Sequence, residues 1–285
     1  MGVKTSLTLS QAQTLFPDIN IVSLHTTHHG VIDTTYVLKT DSSKYILKRY
    51  ERASQAQIAD EARLLNHLHA CRLNVPKLLS IVDKWHLFTY IKGDFPHQTN
   101  LYNLQSLGQF LGKMHLATKK KDAVFTPFNK RSFKKDIKNV RLHHPLLAKQ
   151  LEKLLSFDDR RDGIIHGDLF PDNSKLHSNR LGVFDFIEAG NGSFHFDAGI
   201  TAMSWIAKEK TISKMKLHIF LKAYNQQAPY KLTLSELLTQ MQYAALTYAL
   251  QRWINNEHSL DHKQMLKKYS KIKSFRKGIL NIELR

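Results

Sequence analysis

The amino-acid sequence predicts an α+β protein in two parts. A small N-terminal unit, residues 1–92, holds an antiparallel sheet and a helix, and a larger, mainly helical unit spans residues 93–285. Three observations carry this expectation. Strand-like runs dominate the first third of the chain, and helical periodicity dominates the rest. Between them lies "IKGDFPHQ", Ile91 to Gln98, whose Gly and Pro mark a connection. At 285 residues and 42% hydrophobic the chain can bury a substantial core, and roughly 150 residues per domain gives about two units.

Each element has its own signal. Ser10 to Phe16 reads as a short helix, with Ser10 as N-cap, that stops before Pro17. Three strand-like runs follow: Ile19 to His28, Thr34 to Thr40 and Lys44 to Tyr50. The second and third are joined by "DSS", a hairpin signal. Ser54 opens a helix, "SQAQIADEARLLNHLHA", that carries Ile58, Ala62, Leu65 and Leu68 close to one face. After Pro76, "KLLSIV" and "HLFTYI" flank "DKW" as a further pair of strands. A cleft between two units is a common place for a ligand.

Composition narrows the classes. No run approaches the ~18 consecutive apolar residues needed to cross a bilayer, and "MGVKTSLTLS" lacks the apolar core of a secretory signal, so the expected location is cytoplasmic, with no membrane partner. The lone Cys71 cannot form an internal disulfide. A net charge of +18 suits a partner bearing phosphates, but charge alone does not choose between nucleotide, nucleic acid and acidic membrane. The basic stretches around Lys119, Lys130 to Lys138 and Lys263 to Lys277 interleave with apolar residues, as solvated helix faces do.

The chemistry concentrates in "IIHGDLFPDN", Ile164 to Asn173, where an apolar strand runs into a cluster of polar groups. Asn173 follows Asp168 by five positions and Asp185 follows it by 17, at the end of the apolar run "RLGVFDF". A hairpin turning at "LHSNR" would bring Asn173 and Asp185 together. An Asn and an Asp supply the oxygen ligands that Mg²⁺ prefers. Asp168 would stand nearby, unligated, to take the proton of a hydroxyl attacking a γ-phosphate. One such acid alone would read as a turn or cap residue. The ordered set does not.

The order "HGDLFPDN", "GVFDF" and "HFDAGI" resembles the signature of the aminoglycoside phosphotransferase and choline kinase superfamily, whose members share the two-lobed protein-kinase-like fold. Gly167 stands where protein kinases carry the arginine of H-R-D. The "HGDLFPDN" form is most similar to the homoserine kinase branch. The resemblance implies ATP and Mg²⁺ as cofactors, Lys48 of "YILKRY" as the lysine for the α- and β-phosphates, and Glu61 as the helix acid that orients it, with Asp60 a competitor. It implies a phosphate-covering loop in "HHGVIDTTYVL", with Gly30 allowing close backbone approach and Thr34 or Thr35 donating to phosphate. The adenine would lie against Thr89 to Lys92, with Phe88, Tyr90 and Phe184 as packing candidates. His166 is implied as a scaffold residue, and Asp197 as an acid that braces the catalytic loop by accepting hydrogen bonds.

For the acceptor, Arg252 in "AALTYALQRWINN" could pair with a carboxylate, and Asn129 and Arg131 could line the same pocket. Glu188 departs from the homoserine pattern and could meet a cationic acceptor instead. The leading expectation is a small-molecule kinase acting on L-homoserine. An aminoglycoside, amino sugar or choline-like alcohol is the alternative acceptor. A nucleotide-binding pseudokinase or regulatory module, and a basic nucleic-acid-binding protein, are alternatives of other classes. The intact set Lys48, Asp168, Asn173 and Asp185 argues against the pseudokinase, and only charge favours nucleic acid.

Overall fold

A computed structural model describes residues 4–27, 33–96, 99–120, 133–158, 160–207, 211–255 and 261–283. In chain order the elements are α1 (Leu9–Leu15), β1 (Ser23–Thr26), β2 (Thr34–Lys39), β3 (Lys44–Arg49), α2 (Gln55–Ala70), β4 (Leu78–Val82), β5 (Trp85–Thr89), α3 (Leu101–Thr118), α4 (Phe133–His143), α5 (Pro145–Leu151), β6 (Gly163–Ile165), β7 (Ser174–His177), β8 (Arg180–Val183), β9 (Gly190–Gly192), α6 (Phe194–Trp205), α7 (Lys214–Gln227), α8 (Leu234–Asn255) and α9 (Asp261–Glu283). No helix among the described residues is long and apolar enough to cross a membrane.

The chain forms two compact units, residues 1–95 with 174–187, and residues 96–173 with 188–285. The β7–β8 hairpin therefore groups with the first unit although it lies far along the chain. Its backbone explains this, because Asp94 and Leu176 exchange N–H to carbonyl hydrogen bonds of 3.0 and 2.9 Å.

In the first unit five antiparallel strands run in the order β1-β2-β3-β5-β4. Side chains alternate between faces along a strand, so one row carries Tyr36, Leu38, Leu47, Trp85 and Leu87 into a core with Ala12, Phe16 and Ile21. Burying each large apolar side chain contributes about 1.5–3 kcal/mol. The other face carries Thr35, Lys48 and His86, which stand in register across β2, β3 and β5. Helix α1 is capped by Thr8, not Ser10. The Thr8 hydroxyl accepts from the Gln11 N–H, and the Gln11 side chain accepts in return from the Thr8 N–H, a reciprocal box that Ser10 does not form with Gln13, whose amide is spent on the Phe16 and Ile19 carbonyls and the Ile21 N–H. Ser54 and Gln57 make the same box at α2.

The second unit is built on helix pairs: α3 on α7, α8 on α9, and α6 on α8. Gly108 and Gly112 sit one turn apart on α3. A Cβ at Gly108 would fall 2.5 Å from the Phe220 carbonyl oxygen, and one at Gly112 would fall 2.7 Å from that of Tyr224, so α7 approaches α3 backbone to backbone. Helix α6 is buried at every residue, which fits its mostly apolar sequence and makes it a core element. Short β6 pairs antiparallel with β9, and the polar loop of 166–173 leaves from the end of β6.

Candidate active site

The first unit gathers one half of the candidate residues. Lys48, on the face opposite the α1 core, has its ammonium 2.8 Å from Asp185 Oδ1 and 3.2 Å from Asp33 Oδ2. It also lies 4.5 Å from the centroid of the Tyr50 ring. Burial alone would lower the Lys48 pKa. Asp185 first, then Glu61, Tyr50 and Asp33, outweigh it and hold the ammonium well above its usual range. Lys48 is therefore a committed cation among acids. Asp185 itself sits at φ 65, in the left-handed region, and keeps 41% of its side chain exposed.

Glu61 forms no ion pair with Lys48. Its carboxylate accepts from the Phe186 N–H at 2.9 Å and from the Tyr50 hydroxyl, so it ties α2 to the backbone after Asp185 and to the ring above Lys48. Burial pushes its pKa up, opposed by Lys48. Asp60 pairs instead with Arg63.

Thr34 requires a correction. Strand alternation places it on the Tyr36 side, opposite to Lys48, where it is fully buried. Its hydroxyl donates to Glu51 at 2.7 Å and accepts from the N–H groups of Lys4 and Thr5, so it pins the N-terminal segment and has nothing left for phosphate. Thr35 is the residue on the Lys48 face. Gly30, Asn129 and Arg131 lie outside the described residues. Tyr90 is half-buried, and its hydroxyl accepts from Lys175 at 2.6 Å. Phe88 is buried beside His86, and Phe184 meets Phe95 edge to face.

The second unit gathers the other half. Gly167, at φ 77, turns the chain after β6 so that Asp168 leaves the loop half-buried. Asp168 Oδ2 accepts from Asn173 Nδ2 at 3.0 Å, and the same amide donates to the Asp168 carbonyl at 2.8 Å. Asp168 Oδ1 accepts from the Tyr248 hydroxyl at 2.8 Å. The loop is clamped from beneath by Asp197, which is fully buried in the first turn of α6. Its oxygens accept from the N–H groups of His166 and Gly167 and from His115 Nε2, all at 3.0 Å. Burial alone would raise the Asp197 pKa. The hydrogen bond and charge of His115, with His166, outweigh it and hold the carboxyl below its usual range. His166 is also buried, and its Nδ1 accepts from the Asp168 N–H at 3.2 Å. From the far end of α6, Ser204 and Trp205 both donate to the Leu169 carbonyl at 3.2 Å.

Glu188 is exposed and Arg252 half-buried on α8. Six residues that the sequence reading did not single out join these groups: Asp33 and Tyr50 around Lys48, His115, Ser204 and Trp205 around the loop, and Tyr248 on Asp168. Tyr248 had a legible signal, since it stands four residues before Arg252 and so shares its helix face. His115 had none, because a histidine in an apolar helix reads as an ordinary core residue.

Among the described residues no group of three or more His, Cys, Asp or Glu side chains converges in the manner of a metal cluster. What these groups can do is hold anionic oxygens with Lys48, offer hard oxygen donors from Asp185 and Asn173, and accept a proton at Asp168.

A lysine on the third strand of an antiparallel sheet, an H-G-D loop braced by a buried aspartate, and a helical second unit define the protein-kinase-like fold. Solved structures agree. The chain superimposes on an amicoumacin kinase in complex with AMP-PNP, Ca²⁺ and Ami with a TM-score of 0.73, covering 95% of this chain and 92% of that one at 17% identity. For choline kinase from Cryptosporidium parvum the TM-score is 0.63, with 92% and 90% covered at 12% identity. Residues 24–227 match the model of the phosphotransferase enzyme family, and the chain belongs to that family. Among its relatives, the homoserine kinase of Methylobacillus flagellatus is 24% identical over 264 residues, covering 80% of this chain and 79% of the relative. That of Zymomonas mobilis is 28% identical over 296 residues, covering 90% of each.

Proposed function

We propose that this phosphotransferase moves the γ-phosphoryl group of ATP to a hydroxyl of a small molecule, with L-homoserine as the first acceptor. The observation that carries the reading is the condition of Asp168. It is a half-buried carboxylate with a hydrogen-bond donor on each oxygen, on a loop whose backbone a buried acid clamps. A carboxylate fixed in this way is suited to orient a hydroxyl and accept its proton.

The other roles follow from the chemistry of each group. Lys48 holds phosphate oxygens, and Asp33, Asp185 and the Tyr50 ring keep its ammonium charged and aimed. Glu61 acts through the Phe186 N–H and Tyr50, as a support of the Asp185 turn. Asn173 spends its NH₂ on Asp168, which leaves its Oδ1 for a cation, and Asp185 is partly exposed. Each is a hard oxygen donor of the kind that Mg²⁺ takes, and each would suit a divalent ion. When bound, that ion neutralises phosphate charge. Most of the acceleration then comes from positioning and electrostatics. The AMP-PNP and Ca²⁺ of the amicoumacin kinase support a nucleoside triphosphate and a divalent cation here.

Homoserine is favoured by the names of the relatives that match along most of the chain. It is a zwitterion, and Arg252 and Glu188 supply the opposite charges for its carboxylate and ammonium. The charge of Glu188 is felt at Tyr248, the residue that holds Asp168. The exposed Glu188 also favours a second reading, in which the acceptor is a cationic alcohol such as choline, an amino sugar or an aminoglycoside.

The test is Mg²⁺-dependent ADP release with L-homoserine, L-serine, choline, N-acetylhexosamines and kanamycin, with Asp168→Asn as the blank. Turnover with homoserine that Asp168→Asn lowers by about 10²- to 10⁴-fold, with ATP binding retained, is the expected outcome. Retained turnover in Asp168→Asn would remove Asp168 from the role of base.

A further inference from the structure

Tyr248 sits on α8, a helix of 22 residues packed on α6. Its hydroxyl oxygen lies 2.8 Å from Asp168 Oδ1 and 2.7 Å from the Gly167 carbonyl oxygen. Both neighbours are acceptors, and a phenol has one proton to give. With Asp168 ionised, the proton belongs to the carboxylate, because a charge-assisted hydrogen bond is about twice as strong as a neutral one. The Gly167 carbonyl is then the weaker claimant.

We propose that Tyr248 is the positioning residue of the base, fixing Asp168 Oδ1 by donating its hydroxyl proton to it. The inference rests on the phosphotransfer reading above and assigns that site a residue outside its expected set. In the step it serves, the acceptor O–H breaks and its proton goes to Asp168. The acceptor oxygen bonds to the γ-phosphorus of ATP, and the bond from that phosphorus to the β-phosphate oxygen breaks, releasing ADP.

Two features prepare Tyr248 for the task. Its ring packs on Phe170 of the same loop, centroids 5.1 Å apart, which limits its rotation. Burial first, then the Asp168 charge and hydrogen bond, push the phenol well above its usual pKa, so it keeps its proton.

The experiment is Tyr248→Phe in the full chain, assayed with the acceptor that the wild type turns over fastest. The isosteric ring keeps the Phe170 contact and removes only the hydroxyl. The expected kcat falls about 10- to 100-fold, the loss that follows from one hydrogen bond to a charged group. The KM for ATP stays at the wild-type value, and the melting temperature falls by no more than about 10 °C, so the variant is folded at the assay temperature. In the Asp168→Asn background the same substitution lowers the residual rate by less than about threefold, since a positioning residue has no effect once the base is gone. A kcat within about threefold of wild type, or an equal loss in the Asp168→Asn background, overturns the assignment while leaving the kinase reading intact. A wild type that turns over no acceptor overturns both.

Discussion

Replacing Asp197 by asparagine removes one accepting oxygen and a negative charge from the point where α6 grips the loop of 166–173. One oxygen accepts from Gly167 N–H, and the other from His166 N–H and His115 Nε2, each at 3.0 Å. An asparagine that keeps its oxygen toward His166 and His115 turns its NH₂ toward the Gly167 N–H, so two donors face each other in a site with no exposed surface. The lost charged hydrogen bond costs about 1.5–3 kcal/mol, and weakening of the two that remain adds about 1–2. The sum, about 2.5–5 kcal/mol, is a large share of the 5–15 kcal/mol typical of a folded protein.

Guanidinium unfolding of Asp197→Asn and wild type measures this difference, and ADP release reports the loop. A loss below about 1 kcal/mol would refute the claim that Asp197 is the brace. The pH dependence supplies a second check of the same reasoning. The Asp197 pKa is depressed on folding, so its contribution is full above the unfolded value of about 3.9 and is lost as pH falls through the folded value. Wild-type stability should therefore drop more steeply in acid than that of Asp197→Asn. Parallel curves would contradict it.

Two further outcomes complement those given for Asp168 and Tyr248. Lys48→Met leaves Asp33 and Asp185 without their shared cation. It should lower ATP affinity by more than about tenfold in a calorimetric titration, with a stability cost of about 1–3 kcal/mol after allowing for the exposure of Asp185. Unchanged affinity would exclude Lys48 as a phosphate ligand. Gly108→Ala inserts a Cβ 2.5 Å from a backbone oxygen of α7. Because backbone cannot step aside as a side chain can, unfolding should show a loss of about 1–3 kcal/mol, and a neutral result would mean the α3–α7 crossing is not close-packed.

Much of the protein was legible in its sequence because the signals are local. Period-two alternation in "TTYVLK" and "KYILKR" marks the central strands and puts Lys48 on one face. The spacing within "HGDLFPDN" places Asn173 where its amide reaches back to Asp168 across a single turn. The same alternation, applied one strand further, would have excluded Thr34 from the Lys48 face. The N-cap at Thr8 was not legible in this way, since Thr8 and Ser10 each have a glutamine three residues on, and only the fold shows that Gln13 is spent on Ile19 and Ile21 while Gln11 turns back to Thr8.

Other assignments required contacts between residues far apart in the chain. The sequence by itself determined the strand faces and the polar loop of 166–173, and through its family resemblance it singled out Lys48, Asp168, Asn173, Asp185 and Asp197 as candidates. Only the tertiary structure decided that Glu61 binds the Phe186 N–H and not Lys48, that His115 and Asp197 meet across 82 positions, and that Tyr248 reaches Asp168 across 80. Such pairings depend on how helices and strands pack on one another. The local periodicity of a sequence records which face of an element is buried, but not which distant side chain will lie against it.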